Sequence, residues 1–163
     1  MMREDEIVVS VEIPRGSRNK YEYDRSLDAI VLDRRLFTST VYPADYGFVD
    51  GTLAEDGDPL DALVLVGDPT FPGCRIRGRT VAVFRMVDQE GPDDKLVCVP
   101  RRDPMWSEVR DVGDIPAAYR AEIEQFFRVY KDLEGLRTRT AGFGDRREAL
   151  EVFERARARV AAA

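Results

Sequence analysis

The chain has 163 residues, the length of one domain, and a formal net charge of −6, so we expect a single domain over residues 1–163. It contains no histidine, which excludes Ser-His-Asp triads, Cys-His pairs and His-ligated zinc. Its two cysteines, Cys74 and Cys98, form no CxxC motif, and we expect buried free thiols.

The sequence shows neither the pattern of an export signal nor that of a membrane span. The segment from Met1 to Asp5 is charged and lacks the apolar core of a signal peptide. The longest apolar run, residues 62–66, is far shorter than a membrane span. We therefore expect a soluble, cytoplasmic protein with no membrane partner.

The first part of the chain predicts short β-strands joined by tight turns. In chain order, the predicted strands are residues 7–13, 20–23, 30–32, 46–49, 62–66, 80–87 and 96–99. Lys20 and Glu22 alternate with Tyr21 and Tyr23, which places the two charges on one face. Short strands at close spacing with Gly and Pro turns favour a barrel or a sandwich.

Two helices are predicted at the C-terminal end. Apolar residues recur at helical spacing over residues 119–133, with Pro116 near the start and Gly135 at the end. A second helix begins near Asp145, and Glu148 completes an approximate capping box. The predicted fold class is therefore mainly β with flanking helices.

Charge is unevenly distributed along the chain. Residues 36–74 contain seven acids and no Lys or Arg, whereas residues 137–159 contain seven arginines and four acids. The acids interleaved with these arginines favour a solvated, ion-paired helix face. The negative net charge disfavours phosphate backbones, so we expect no nucleic-acid partner.

Lysine is rare in this chain. There are 22 arginines but three lysines, Lys20, Lys95 and Lys131. Arginine is a rigid planar fork, whereas lysine is a compact point charge with a pKa that shifts readily. A position that needs the second cannot easily accept the first, although chance would also explain three lysines.

The densest motif is Asp56-Gly57-Asp58-Pro59-Leu60-Asp61. Carboxylates about 4 Å apart repel by ~1 kcal/mol in water and ~4 kcal/mol near a protein surface, so a turn that converges them needs a cation. Carboxylate oxygens select Mg²⁺, Ca²⁺ or Mn²⁺ rather than zinc. An EF-hand does not fit, because Asp61 stands where its glycine is required. This motif alone leaves a metal site and a solvated acidic turn equally open.

A second acidic loop spans residues 88–95 and by itself reads as an ordinary hairpin turn. Two acidic loops at strand ends can, however, meet at one barrel rim and hold more than one divalent ion, which suits phosphoryl chemistry. Groups available to bind phosphate oxygens opposite the metals are Lys20, Arg34, Lys95, Lys131, Tyr46 and Tyr130.

Several segments together resemble the soluble family I inorganic pyrophosphatases in their short bacterial form. They are Glu12-Ile13-Pro14, Lys20-Tyr21-Glu22, Asp33-Arg34, Tyr42-Pro43-x-x-Tyr46-Gly47, residues 56–61, Asp88 with Asp93 and Lys95, and Tyr130-Lys131-Asp132-Leu133-Glu134. The D-G-D-P-x-D run is the most specific, and the likeness extends from about residue 7 to about residue 160.

The resemblance implies a closed five-stranded, OB-like barrel with flanking helices, assembled as a homo-oligomer that is usually a hexamer. It implies hydrolysis of pyrophosphate to two orthophosphates with several Mg²⁺ ions per site, for which Mn²⁺ can substitute. It further implies that a hydroxide bridging two metals attacks one phosphorus in line, without a covalent enzyme intermediate.

The resemblance also implies roles for individual residues. The implied metal ligands are Glu12, Glu22, Asp56, Asp61, Asp88 and Asp93. The implied substrate-binding residues are Lys20, Arg34, Tyr46, Lys95, Tyr130 and Lys131. The implied base is Asp58 or, in another assignment, Asp93, and the sequence leaves this choice open. All three lysines fall on these positions.

Two other functions stay open at this point. One is hydrolysis of another phosphoanhydride, a nucleotide or a polyphosphate, although the chain has no G-x-x-x-x-G-K-[ST] loop. The other is a non-catalytic OB-type module that binds metal or single-stranded nucleic acid; the latter needs a basic, aromatic groove, whereas the expected rim is acidic. Residues 135–143 depart from the family pattern and lack its usual lysine.

Overall fold

The structure is a computed structural model that describes Arg3 and residues 5–163. Met1, Met2 and Glu4, part of the segment inspected above for an export signal, lie outside the described residues. The strands are β1 (Glu6–Ile13), β2 (Asn19–Asp24), β3 (Ala29–Arg35), β4 (Asp45–Val49), β5 (Asp61–Val64), β6 (Arg75–Asp88), β7 (Gly91–Pro92), β8 (Lys95–Pro100) and β9 (Arg139–Gly144), and the helices are α1 (Ala117–Val129) and α2 (Arg146–Ala162).

Five of the strands close into a barrel. β1 pairs with β4, β4 with β5, β5 with β8, β8 with β6, and β6 returns to β1. Only the β5–β8 pair among these is parallel. The predicted closed five-stranded OB-like barrel with two C-terminal helices is therefore confirmed, and the sandwich is excluded.

The register of the barrel follows from the alternation of β1 and from one glycine. Along β1, every second residue from Ile7 to Ile13 is buried, so a slip by one residue would expose the apolar face. A Cβ on Gly47 of β4 would lie 1.9 Å from the main-chain oxygen of Ser10, so only glycine allows these strands to approach. This approach fixes the position of Tyr46 beside it.

The predicted strands agree with the observed ones apart from their ends and two additions. β6 begins five residues earlier than predicted, at Arg75, and β5 ends at Val64 instead of continuing to residue 66. β7 and β9 were not predicted. β9 has the sequence RTAGFG, with little β-propensity, and forms because it pairs with the edge of β6.

The two helices cover the barrel as their apolar spacing predicts. α1 buries Ile123, Phe126 and Phe127, and it ends at Val129, after which a short 3-10 turn leads to Gly135. α2 begins with the predicted capping box of Asp145 and Glu148.

Two further predictions can be compared with the described residues. None of the helices they form is both long enough and apolar enough to cross a membrane. Both cysteines are free; Cys98 is buried as predicted, whereas Cys74 is only partly buried.

Candidate active site

A cavity of about 600 Å³ opens at the barrel rim, where the two acidic loops and the β2–β3 hairpin meet. The predicted site residues that line it are Glu12, Lys20, Glu22, Tyr46, Asp56, Asp58, Asp61, Asp88, Asp93, Lys95, Tyr130 and Lys131. The structure thus brings both acidic loops and all three lysines to one place.

Arg34 is the one predicted site residue that does not line this cavity. Its guanidinium donates to Glu134 in a two-bond arrangement, with distances of 3.1 Å from Nε and 2.8 Å from Nη2. A third bond of 2.5 Å joins Nη1 to Asp33. Arg34 would have to exchange one of these carboxylates for a phosphate, so its assignment stays a prediction.

Lys95 lies fully buried at the floor of the cavity. Its Nζ donates to Asp61 Oδ2 and Asp93 Oδ2, each at 3.0 Å, and to the Tyr46 hydroxyl at 2.8 Å. Burial works to lower the pKa of Lys95, but the charges of Asp61 and Asp93 outweigh it and raise this pKa above its ordinary value. A permanently charged ammonium group therefore joins the two acidic loops.

The two carboxyl groups that share Lys95 differ in their acidity. Burial raises the pKa of Asp61, and the nearby charge of Asp93 adds to this effect while Lys95 opposes it. Burial also favours the neutral form of Asp93, but the charge and hydrogen bond of Lys95 outweigh burial and lower the pKa of Asp93. Asp93 is therefore the weaker proton acceptor of the pair.

The carboxyl group of Glu12, on β1, has few neighbours that would stabilise its negative charge. Burial raises the pKa of Glu12 to about 7, and the charges of Asp61 and Glu22 contribute in the same direction. The main-chain N–H of Tyr23 donates to Glu12 Oε2 at 2.8 Å and only partly offsets them. A cation in the cavity would relieve this cost.

The carboxylates surround the cavity without forming a ready-made ligand sphere. Among the residues that the structure describes, no three Asp, Glu, Cys or His side chains stand together in a position to hold a metal. Asp61 and Asp93 instead face Lys95, and Asp56 Oδ1 accepts a bond of 2.9 Å from the Asp58 N–H. The donors, all carboxylate oxygens, fit a hard divalent cation, but binding it requires side chains to turn.

Cationic and phenolic groups face the acids. Lys20 is ion-paired with Glu22 and lies 3.6 Å from Asp33. Lys131 is half-buried, and burial lowers its pKa. Burial raises the pKa of Tyr130 to about 12, so its hydroxyl remains a hydrogen-bond donor at neutral pH. This combination can bind the oxygens of a phosphate group.

Tyr42, Arg155 and Arg159 are among the residues that line the cavity but were not predicted as site residues. Tyr42 packs beside Tyr46 with ring centroids 5.3 Å apart. Arg155 and Arg159 reach the cavity from α2. Their spacing of four residues places both arginines on one helix face, but nothing in the sequence indicated that this face turns toward the rim.

We expect the metal-free protein to lose stability as the pH rises from 5 to 8, because of Glu12. A carboxyl group whose pKa rises from 4.5 to about 7 on folding stabilises the fold fully below pH 4.5, and this contribution is lost as the pH passes 7. The loss is at most about 3 kcal/mol. Thermal unfolding in EDTA should show this loss of stability between pH 5 and 8 for the wild type and a much smaller loss for Glu12→Gln.

The control for this prediction is Glu6→Gln, on the same strand but outside the cavity. Mg²⁺ should restore stability at pH 8 to the wild type more than to Glu12→Gln. If the stability of Glu6→Gln depended on pH as little as that of Glu12→Gln, Glu12 would not be the cause of the pH dependence.

Comparison with known proteins agrees with this site. The family model for inorganic pyrophosphatase matches residues 9–161. The chain is 56% identical to the inorganic pyrophosphatase of Streptomyces coelicolor over 151 residues, 92% of this chain and 93% of that one. It is 49% identical to that of Methanosarcina mazei, over 93% and 89% of the two chains. The crystal structure of inorganic pyrophosphatase from Thermus thermophilus superposes with a TM-score of 0.94 at 43% identity, covering 96% and 92%.

Proposed function

This chain belongs to the inorganic pyrophosphatase family, enzymes that hydrolyse pyrophosphate, and we propose that it performs this reaction with Mg²⁺. Water attacks one phosphorus in line, no covalent enzyme intermediate forms, and two orthophosphates leave. Mn²⁺ can substitute for Mg²⁺ because it shares the preference for oxygen ligands.

One observation supports this proposal more than any other. Two acidic loops distant in sequence and the three lysines of the chain line the same cavity. Carboxylates alone would indicate cation binding, and lysines alone would indicate anion binding. Their combination suits a substrate that carries high negative charge and is bound together with divalent cations.

The metal ligands we propose come from the two acidic loops and from strands β1 and β2. Asp56, Asp61 and Asp93 would hold the tightest Mg²⁺, with Asp61 shared with a second ion. Asp88 would join Asp93 on a further ion, and Glu12 and Glu22 would act through water. Bound Mg²⁺ would lower the pKa of a water molecule and neutralise phosphate charge.

We propose Asp58 as the group that orients the attacking water and accepts its proton. Asp58 is exposed at the cavity, and Gly57, with φ of +88°, turns the chain between it and Asp56. Asp93 is the other candidate, but its carboxylate is ion-paired with Lys95 at 3.0 Å and would also serve as a ligand of two metal ions, whereas we assign Asp58 neither of these roles. Proton transfer of this kind contributes about 10²- to 10⁴-fold to a rate.

The cationic and phenolic side chains position the substrate. Lys20, Lys131 and Arg34 would bind non-bridging oxygens, and the hydroxyls of Tyr46 and Tyr130 would donate to them. Lys95, at the floor of the cavity, would orient Tyr46 for this contact, because its Nζ donates a hydrogen bond to the Tyr46 hydroxyl. Positioning and charge neutralisation then supply most of the rate acceleration.

Phosphate release from pyrophosphate, ATP and tripolyphosphate, each with Mg²⁺ and with EDTA, tests the proposal. We expect fast release from pyrophosphate with Mg²⁺, little from the other two substrates, and none in EDTA. Comparable hydrolysis of ATP would favour a nucleotide hydrolase. No release from pyrophosphate with Mg²⁺ would favour a non-catalytic metal-binding module.

The remaining proposals rest on family membership. We propose a single pyrophosphatase domain over residues 1–163, a homo-oligomer that is a hexamer, and a cytoplasmic location without membrane or nucleic-acid partners. Light scattering at several protein concentrations measures the subunit number.

A further inference from the structure

The acidic turn at residues 54–58 is a closed unit. The Ala54 N–H donates to the main-chain oxygen of Asp58 at 2.7 Å, and the Gly57 N–H donates back to the oxygen of Ala54 at 3.1 Å. The Asp58 N–H donates to Asp56 Oδ1 at 2.9 Å. Because these bonds lie within the turn, its placement over the cavity depends on how its two ends are held.

The barrel holds one end of this turn through a buried hydroxyl. Thr52 Oγ1 donates to the main-chain oxygen of Val49 at 2.7 Å and accepts from the Leu60 N–H at 3.0 Å. The Val49 N–H donates to the oxygen of Leu60 at 2.8 Å. The chain around the acidic turn is therefore closed at its base against β4.

Helix α2 also holds the end at which the turn begins, next to Thr52. The Leu53 N–H donates to the main-chain oxygen of Ala156 at 3.0 Å, and Arg159 Nη1 donates to the oxygen of Leu53 at 3.2 Å. Arg159 Nη2 also lies 3.5 Å from Glu55 Oε1. Arg159 thus contacts the main chain just before the turn and the first acid of the turn.

The chemistry of arginine suits this position. Its planar fork reaches two acceptors at once, whereas a lysine ammonium concentrates its charge at one point. The ion pair itself adds little, because the side chain of Glu55 is 73% exposed. The hydrogen bond from Arg159 to the Leu53 oxygen contributes more to holding the turn, because it is partly buried and Arg159 lies on a helix packed against the barrel.

We propose that Arg159 is a positioning residue for the acidic turn. By holding Leu53 and Glu55 it sets where Asp56 and Asp58 lie relative to Asp61 and Asp93, and so it sets the affinity of the cavity for Mg²⁺. This inference rests on the proposed function, in which Asp56, Asp61 and Asp93 bind Mg²⁺ and Asp58 is the base.

The test compares Arg159→Ala and Arg159→Lys with the control Arg157→Ala. Arg157 is on the same helix, where it forms an ion pair with Glu154 at 3.2 Å and its guanidinium lies 5.4 Å from the centre of the Phe153 ring, and it does not line the cavity. The rate of hydrogen exchange at amides 54–58, measured without metal, reports how firmly the turn is held in place. The Mg²⁺ concentration for half-maximal activity reports how well the turn binds the metal.

For Arg159→Ala we expect the exchange rate of amides 54–58 and the half-saturating Mg²⁺ concentration each to rise about three- to tenfold. This is the effect expected from the loss of about one hydrogen bond. Saturating Mg²⁺ would itself hold Asp56, so kcat under that condition should fall by a smaller factor than the Mg²⁺ affinity, and Arg159→Lys should be intermediate in both. Direct calorimetric titration with Mg²⁺, without substrate, should show the same loss of affinity.

Values for Arg159→Ala that match those of Arg157→Ala would overturn the inference. A lower melting temperature with an unchanged Mg²⁺ requirement would also overturn it, because the role would then be structural only. A wild type without Mg²⁺-dependent hydrolysis would instead contradict the proposed function, and the exchange of amides 54–58 would still decide whether Arg159 holds the turn.

Discussion

We expect the replacement of Asp58 with Asn to lower kcat for pyrophosphate by about 10²- to 10⁴-fold, while the fold and Mg²⁺ binding remain. Asn has nearly the same shape as Asp but cannot accept the proton of the attacking water. The Asp58 side chain is exposed, so the substitution removes no core packing. Steady-state kinetics at saturating Mg²⁺, with calorimetric Mg²⁺ titration, measures both parts of this prediction.

The matched control is Asp68→Asn, an exposed aspartate in a loop outside the cavity, which should leave kcat unchanged. Asp93→Asn is a less clean comparison, since it also removes a partner of Lys95. Near-normal turnover of Asp58→Asn would refute its role as base and favour Asp93.

We expect the replacement of Lys95 with Met to lower the free energy of unfolding, measured without metal at neutral pH, by about 3–5 kcal/mol. Met has a similar length but no charge, so the partly buried carboxylates of Asp61 and Asp93 would lie close together without a cation between them. Urea denaturation in EDTA measures the loss. The loss should shrink when Mg²⁺ is added, because the metal replaces the missing positive charge.

The control for Lys95→Met is Lys131→Met in the same cavity. Lys131 is only half-buried, and burial lowers its pKa by more than Asp88 and Asp93 raise it, so its removal should cost much less stability. Wild-type stability of Lys95→Met in EDTA would show that the buried ammonium does not compensate the two aspartates.

Most strands and both helices could be predicted from local signals, but these left a barrel and a sandwich open, and the closed barrel was implied only by the family resemblance. The alternation from Ile7 to Ile13 and the period change near Pro116 each depend on residues adjacent in the chain. β9 could not be predicted in this way, since its glycines disfavour a strand and only the exposed edge of β6 stabilises it.

The candidate site was predicted to a different extent for each kind of residue. The acids of residues 56–61 and the three lysines were found because they form a specific motif or are rare in the chain. The contribution of Arg159 could not be found, because it depends on how α2 is rotated against the barrel. The pairing of Arg34 with Glu134 joins residues 100 positions apart and leaves no local pattern.

A crystal structure of the protein in millimolar Mg²⁺ tests the central claim most directly. The account predicts Mg²⁺ in the rim cavity, with carboxylate oxygens of Asp56, Asp61 and Asp93 turned inward to about 2.0–2.1 Å from the ion. Density without an ion, with these three carboxylates directed into solvent or still facing only Lys95, would contradict it.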